Sequence, residues 1–294
     1  MQTILITGCN GFLGQHLIHF FAAKQYKVIG VGRGDCRITN VLPFVYAEVD
    51  LTNQQQVENC LQQYRPDIIV HAAAMSKPDE CDKNKALCTQ HNVDATRFLL
   101  QSALSFSPHF IYISTDFIFG EDGPHSEDDV PLPLNFYGES KLQAEQIVRA
   151  SGLLFTIVRP VFIYGKLFSD MRPSFLHWVK NNLIQNKPIK VVNDQFRTPT
   201  YVKDICKGIE TIMQQPSYGD FHLAGKDIIS PYQMAVMIAK HLGLNEQLIE
   251  EVNSSTFPEP VIRAKRSGLK IDKAISELHY QPVSFEEGVR LSFE

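Results

Sequence analysis

Short apolar runs alternate with amphipathic stretches along most of the chain. Thr3 to Thr7 is apolar and enters Gly8-Cys9-Asn10-Gly11-Phe12-Leu13-Gly14, after which Leu13, Leu17, Ile18 and Phe21 recur at helical spacing. Lys27 to Val31 is a second apolar run, so this opening reads as strand, glycine turn, helix and strand, a unit of about 30 residues. Phe44 to Ala47 is a weaker strand. Thr52 or Asn53 caps a polar helix that runs to about Gln63. Pro66 to Val70 is a buried strand with the exit His71-Ala72-Ala73-Ala74. Helical spacing then covers about Lys83 to Phe106, followed by a strand over His109 to Ser114, a helix over Tyr137 to Ala150 and a strand over Leu154 to Val158.

Strands that alternate with helices in this way predict an α/β fold with a doubly wound, mostly parallel sheet, Rossmann-like, covered on both faces. Beyond about Gly165 the rhythm loosens. Met171 to Asn186, Tyr201 to Gln214 and Pro231 to Leu242 read as helices, with strands at Ile189 to Val192 and Phe221 to Ala224. Two short helices close the chain near Ile271–Leu278 and Phe285–Leu291. The expected division is a dinucleotide-binding domain over 1–165, with 198–225 packing back onto it. A smaller C-terminal substrate-binding lobe would take 166–197 and 226–294.

Charge and cysteine usage narrow the function classes. Lys and Arg number 28 against 32 Asp and Glu among 294 residues, a net charge of −4. A mildly acidic chain without a basic run argues against nucleic acid or an anionic membrane as partner. Cys9, Cys36, Cys60, Cys81, Cys88 and Cys206 form no CxxC pair and no cluster with zinc spacing, so no metal is expected. Scattered cysteines in a chain of this length read as reduced thiols and a cytoplasmic location. The N-terminus shows neither a signal peptide nor a membrane span.

The glycines of Gly8-x-x-Gly11-x-x-Gly14 sit where a pyrophosphate approaches a strand–helix turn, and the helix start supplies free N–H groups. The second strand ends in Val31-Gly32-Arg33-Gly34, with Arg37 beyond. An acid there would bind a ribose 2′-hydroxyl. The arginine instead favours a 2′-phosphate, hence NADP over NAD. Asp50-Leu51 follows the third strand, where adenine would lie, or Asp50 is an ordinary helix cap. Ala72, Ala73 and Ala74 leave room for a flat ligand or for close packing.

Tyr137 and Lys141 are i and i+4 on one helix, so both project from the same face. A neighbouring ammonium lowers a phenol's pKa toward a useful range. Thr115, at the end of the fifth strand, can hydrogen-bond the same carbonyl. His71, His91 and His109 read as satisfied interior histidines, Glu127-Asp128-Asp129 as a solvated loop, and Trp178 as core.

The motifs TGCNGFLG, DLT at 50–52, HAAA, HNVDAT around Asn92, STDFIFG, YGESK and VRPVFIYG occur in the order found in the extended short-chain dehydrogenase/reductase family, which the chain resembles over nearly its whole length. PLPLNFYGESKLQAE, DQFRTPTYVKD and RAKRSGL bring it nearest to the dTDP-4-dehydrorhamnose reductases. The resemblance extends to the regulatory beta subunits of methionine adenosyltransferase, which use the fold as a binding module. It implies Thr115, Tyr137 and Lys141 as the catalytic set. For the cofactor it implies Gly8, Asn10, Gly11, Phe12, Leu13, Gly14, Arg33, Asp50, Leu51, Ala72, Ala73, Ala74, Asn92, Pro160 and Val161, together with Tyr137 and Lys141.

Asp116, Phe117, Phe162 and Arg197 would face a nucleotide-sugar. The reductase pattern has tryptophan at Phe162, tyrosine at Phe117, and proline after the arginine where this chain has Arg263-Ala264. Its first-helix glutamate, linked in some members to magnesium at a dimer contact, is absent near His16. The implied activity is NADPH-dependent reduction of a nucleotide-sugar 4-keto group, with a homodimer as a further expectation. An epimerase or dehydratase on the same scaffold is one alternative, and a non-catalytic NADP-binding regulatory subunit is another.

Overall fold

In a computed structural model, described for every residue except 169, 170, 172 and 259, the chain alternates as the apolar pattern requires. β1 (Thr3–Thr7), α1 (Phe12–Ala22), β2 (Lys27–Gly32), β3 (Phe44–Glu48), α2 (Gln54–Tyr64) and β4 (Ile68–His71) come first. Next are the short helices α3 (Pro78–Lys83) and α4 (Lys85–Thr89), a widened turn over Gln90–Asp94, α5 (Ala95–Ala103) and β5 (His109–Ile113). They are followed by α6 (Phe136–Arg149), β6 (Phe155–Arg159) and β7 (Ile163–Tyr164). The remainder holds α7 (Phe175–Ile184), β8 (Ile189–Val192), β9 (Thr200–Tyr201), α8 (Val202–Gln214), β10 (Gly219–His222), α9 (Pro231–Leu242), β11 (Ile249–Val252), α10 (Asp272–Leu278) and α11 (Phe285–Phe293).

Seven strands pair in the order β10-β6-β5-β4-β1-β2-β3, every pair parallel. Parallel strands are buried on both faces, which is why their sequences are apolar runs and not alternations. The period of two decides which face each side chain joins. Ile4, Ile6, Ile68, Val70, Ile111 and Ile113 pack with α1, α8 and α10 on one side. Leu5, Ile69, Phe110 and Tyr112 pack with α2, α5 and α6 on the other. A separate apolar cluster joins α7, α9 and α11 through Leu176, Val179, Met234, Ile238, Phe285 and Val289. Ala274 and Leu278 of α10 belong to the sheet core.

Three stretches differ from the sequence reading. The helix expected over Lys83 to Phe106 is broken. Asn84 turns the chain and caps α4 by accepting from the Leu87 N–H at 3.1 Å, and α3 starts earlier, at Pro78. The helix expected over Met171 to Asn186 is Phe175–Ile184, and its expected first turn includes residue 172, outside the described residues. The strand expected at Phe221 to Ala224 is Gly219–His222, set by parallel pairing with Thr156–Arg159. Among the described residues no helix is long and apolar enough to cross a membrane.

Candidate active site

The sheet reverses its winding between β1 and β4, and in such folds ligands bind at the carboxyl ends of the strands on either side of that switch. The glycine turn lies there. Gly8 adopts φ +68°, and a Cβ on it would come within 2.8 Å of the Ala73 backbone; one on Gly14 would come within 2.1 Å of the Gly8 carbonyl. Turn, β4 exit and helix start are therefore packed backbone to backbone, a cradle that only glycine permits. Gly11 caps α1 with no side-chain hydrogen bond, and the first turn carries no acid. The N–H groups that open α1, beginning at Phe12, Leu13 and Gly14, thus remain suited to an anion. The Leu13 side chain itself is in the sheet core, and Phe12 packs edge-on against His16.

Arg33 is exposed at the end of β2. The loop behind it is tied down by Asn10, whose amide donates to the Asp35 carbonyl at 3.0 Å and to the Tyr46 hydroxyl at 3.2 Å. Its carbonyl oxygen accepts from the Arg37 N–H at 2.9 Å. Tyr46 also donates to the Gly34 carbonyl. Asn10 therefore shapes the loop that carries Arg33. Tyr46 was not legible in the sequence, because an aromatic in a strand signals packing first.

Asp50 accepts from the Thr52 N–H at 2.9 Å and hydroxyl at 2.8 Å. Burial raises its pKa, but those bonds and the Arg33 charge outweigh burial and hold it below the usual carboxylate range. Leu51 packs against the sheet core, and Ala74 is exposed. The Ala73 N–H donates to Thr7 at 3.2 Å, and Thr7 continues through His71 to Thr96, at 2.7 and 3.0 Å. His71 is thus a satisfied interior histidine. Asn92 clasps the β4 exit from above: it accepts from the Met75 N–H at 2.7 Å and donates to the Met75 carbonyl at 3.1 Å and to Ser140 Oγ at 2.9 Å.

Asn135 starts α6 by accepting from the Gly138 N–H at 3.1 Å, which fixes where Tyr137 and Lys141 emerge. The helix is anchored further on by Glu145, whose buried carboxylate pairs with Arg159 at 2.8 Å. Thr115, Tyr137 and Lys141 are all buried and converge at the end of β5. Thr115 donates to the Asp116 carboxylate at 3.2 Å and accepts from the Phe117 N–H at 3.3 Å. Lys141 Nζ donates to the Ile113 carbonyl at 2.7 Å and lies 4.1 Å from the centre of the Tyr112 ring.

The expected lowering of the phenol by the ammonium is not what this environment produces. Burial pushes Tyr137 up, with Thr115 opposing, and burial pushes Lys141 down to about 7, with Glu145 opposing. Desolvation penalises both charged forms more than the partners restore.

Beside this set, Asp116, Phe117, Val161, Phe162, Arg197 and Arg263 line a cleft, with Phe119, Leu134, Asn135, Ala264 and Ser267 completing it. Phe162 is held at φ +38°, an uncommon conformation for a bulky residue. Thr200 fixes that turn by donating to the Val161 carbonyl at 2.7 Å and accepting from the Val161 N–H at 3.2 Å. Pro160 is buried just before it. Arg197 lies over the Phe162 ring at 5.6 Å and donates to Gln195 at 2.8 Å. Burial raises the Asp116 carboxyl above its usual range, with the Arg197 charge opposing. Arg263 pairs with Asp79 of α3 at 2.8 Å, whereas Arg266 stacks on Phe196.

Two readings are corrected. Trp178 is not core: it is 40% exposed and stacks on Phe175, because α7 buries Leu176, Val179 and Leu183 instead. Glu127 is not in a freely solvated loop: it accepts from the His222 N–H at 2.9 Å and ties its loop to β10. Among the described residues no group of three His, Cys, Asp or Glu side chains is placed to hold a metal ion.

Comparison with known proteins gives concordant relatives. A family described as RmlD substrate binding domain matches residues 1–294. Methionine adenosyltransferase 2 subunit beta of Bos taurus is 30% identical over 271 residues, 90% of this chain and 78% of that protein. The crystal structure of dTDP-4-dehydrorhamnose reductase from Bacillus anthracis in complex with NADP superposes with a TM-score of 0.88 at 28% identity, covering 99% of this chain and 98% of that one. UDP-glucuronic acid 4-epimerase from Bacillus cereus, in complex with UDP-glucuronic acid and NAD, gives a TM-score of 0.85 at 25% identity, with the same coverage.

Proposed function

The chain belongs to the RmlD substrate binding domain family, within the extended short-chain dehydrogenases/reductases, and from that membership we propose that it is an NADP-dependent reductase of the 4-keto group of a nucleotide-linked deoxysugar. One observation carries the reading: Thr115, Tyr137 and Lys141 are buried together beside a cleft that offers a buried carboxyl, an aromatic face and two arginines. That combination suits a sugar ring with a diphosphate attached, since arginine matches phosphate oxygens in a planar fork.

The glycine cradle fits a dinucleotide. Gly8, Gly11 and Gly14 with the N–H groups opening α1 would take the pyrophosphate, and Arg33, on the loop shaped by Asn10, the 2′-phosphate. Asp50 and Leu51 would border the adenine. Ala72, Ala73 and Ala74, with Asn92 fixing their loop, would pass beneath the cofactor, and Pro160 and Val161 would lie by the nicotinamide. NADPH, when bound, supplies the hydride. Tyr137 gives its proton to the keto oxygen, Thr115 holds that oxygen and the phenol in line, and Lys141 binds the nicotinamide ribose and steadies the phenolate. Asp116, Phe117, Phe162, Arg197 and Arg263 orient the sugar and its diphosphate. Segments 166–197 and 226–294 would form the substrate lobe, except for α10, which packs on the sheet core, and the protein would work in the cytoplasm.

The test is NADPH oxidation with dTDP-4-dehydrorhamnose and with other 4-keto sugar nucleotides. Turnover of one or more is expected, and no turnover of any would overturn the reductase reading. The 30% identity to methionine adenosyltransferase 2 subunit beta supports a second reading, a non-catalytic NADP binder. It would take up NADPH without oxidising it. An epimerase would interconvert two sugar nucleotides with no net change in the cofactor.

A further inference from the structure

Two short helices beside the candidate site each bury a single residue. Cys81 is the buried residue of α3 and Cys88 that of α4, and neither is exposed to solvent. Helices of six and five residues have little stability of their own. These hold their place because the two cysteines share one small buried cluster with Tyr137 of α6. The Cys81 thiol donates to the Met75 carbonyl at 3.3 Å. Cys88 donates to Ser140 Oγ at 3.4 Å and accepts from Asn92 Nδ2 at 3.4 Å. Asn92 and Cys81 both hold Met75, in the loop leaving β4 beneath the glycine turn. The thiol pair is therefore wired to the backbone that borders the cofactor cradle.

We propose that Cys81 and Cys88 are an oxidisable dithiol, converted by hydrogen peroxide to a disulfide that removes the Cys81 tie to Met75, loosens that loop and weakens NADPH binding. This rests on the cofactor part of the proposed function and not on the identity of the sugar.

The hydrogen bond from Cys81 holds the Cys88 thiol below the usual thiol range against the effect of burial, with Ser140 and the Lys141 charge adding to it. The thiolate is the reactive form. By contrast, burial pushes Cys9 and Cys206 up to about 12 and Cys60 to about 11, which leaves them inert. Access needs only local opening, because the rest of α3 and α4 is largely solvent-exposed and little packing is lost.

Cys88 attacks one peroxide oxygen: a sulfur–oxygen bond forms, the oxygen–oxygen bond breaks, and the departing hydroxide leaves as water after taking a proton. Cys81 then attacks the Cys88 sulfenic sulfur: the disulfide forms, the sulfur–oxygen bond breaks, and the hydroxyl leaves as water with the Cys81 proton. The thiols together lose two electrons and two protons, and the peroxide gains them. An added dithiol reverses the step by exchange.

The experiment treats the full chain with hydrogen peroxide, blocks remaining thiols, maps the peptides by mass, and titrates NADPH fluorescence on reduced, oxidised and re-reduced protein. A loss of about 2 Da at a joined Cys81–Cys88 pair is expected. The NADPH Kd should rise about tenfold, the size of one lost hydrogen bond, and recover with dithiothreitol. Cys88→Ala, compared with itself before and after peroxide, should show no change in Kd. Gains of about 16 or 32 Da with Cys81 and Cys88 still open to alkylation would overturn the proposal. So would a Cys81–Cys88 disulfide that leaves the NADPH Kd unchanged. Reduced protein that binds no NADPH would overturn the cofactor reading, while the mass map would still decide whether the disulfide forms.

Discussion

The proposed cofactor and substrate halves of the site are built from different material. The cofactor half is mostly backbone: a glycine turn, the first N–H groups of α1 and the β4 exit, brought so close that a Cβ on Gly8 would sit 2.8 Å from Ala73. The substrate half is mostly side chains, drawn from segments around Asp116, Asn135, Phe162, Arg197 and Arg263. A backbone site changes only by steric damage, whereas a side-chain site can be retuned one residue at a time. Solved structures that share the fold include a dTDP-4-dehydrorhamnose reductase with NADP and a UDP-glucuronic acid 4-epimerase with NAD.

The two halves meet at Tyr137, so its loss gives the largest effect. Tyr137→Phe keeps the ring's packing on Phe117, 5.4 Å away, and removes the proton donor. A fall in kcat of about 10²–10⁴-fold is expected, with NADPH affinity largely kept; stopped-flow reduction of the keto sugar nucleotide measures it. Near-normal turnover would detach Tyr137 from the chemistry.

The backbone half breaks next. In an ordinary helix, Gly→Ala stabilises by about 1 kcal/mol. Gly14→Ala should do the opposite, because its new Cβ meets the Gly8 carbonyl at 2.1 Å, and backbone cannot swing aside as a side chain can. Destabilisation of about 1–3 kcal/mol is expected, together with weakened NADPH binding. Thermal unfolding and a fluorescence titration check the two parts, and a variant as stable as wild type would mean that the turn relaxes freely.

The same contrast explains what could be read without coordinates. The glycine turn is contiguous, and Tyr137 and Lys141 are one helical turn apart, so local spacing exposes both. The cleft is not local: Asn135 and Ile262 come together through a 2.9 Å hydrogen bond across 127 positions, and Arg263 reaches Asp79 across 184. No periodicity encodes such meetings. Trp178 misleads because α7 carries more apolar residues than it buries, so its stripe drifts toward solvent. The break between α3 and α4 did have a signal: Asn84 is a capping residue followed by helix formers. The exposed, charged surface around it gives no apolar period to mark the boundary.

The side-chain half should answer selectively. Arg197 is half-buried over Phe162, so its guanidinium is partly shielded from water. Arg197→Ala should raise KM for the sugar nucleotide about tenfold, the low end for a charge-assisted bond, with NADPH affinity unchanged. Steady-state kinetics with each substrate varied in turn decides this. A loss falling on NADPH would place the diphosphate contact elsewhere.

The smallest effect is expected at Arg33, an exposed side-chain contact in the backbone half. Its loop is held by Asn10 and Tyr46, so removing the guanidinium should leave the loop's path intact. The arginine is exposed at the end of β2. Water and salt screen an exposed pair to about 1 kcal/mol or less, well under what a buried phosphate contact provides. Arg33→Ala should therefore weaken NADPH by about fivefold, which is that energy expressed as a ratio, and leave NADH unchanged, since only NADPH carries the 2′-phosphate. Parallel titrations with both cofactors, repeated at raised salt, test it. The wild-type preference should shrink with salt, and the variant's should not. Equal losses for the two cofactors would show that Arg33 supports the loop and does not read the phosphate.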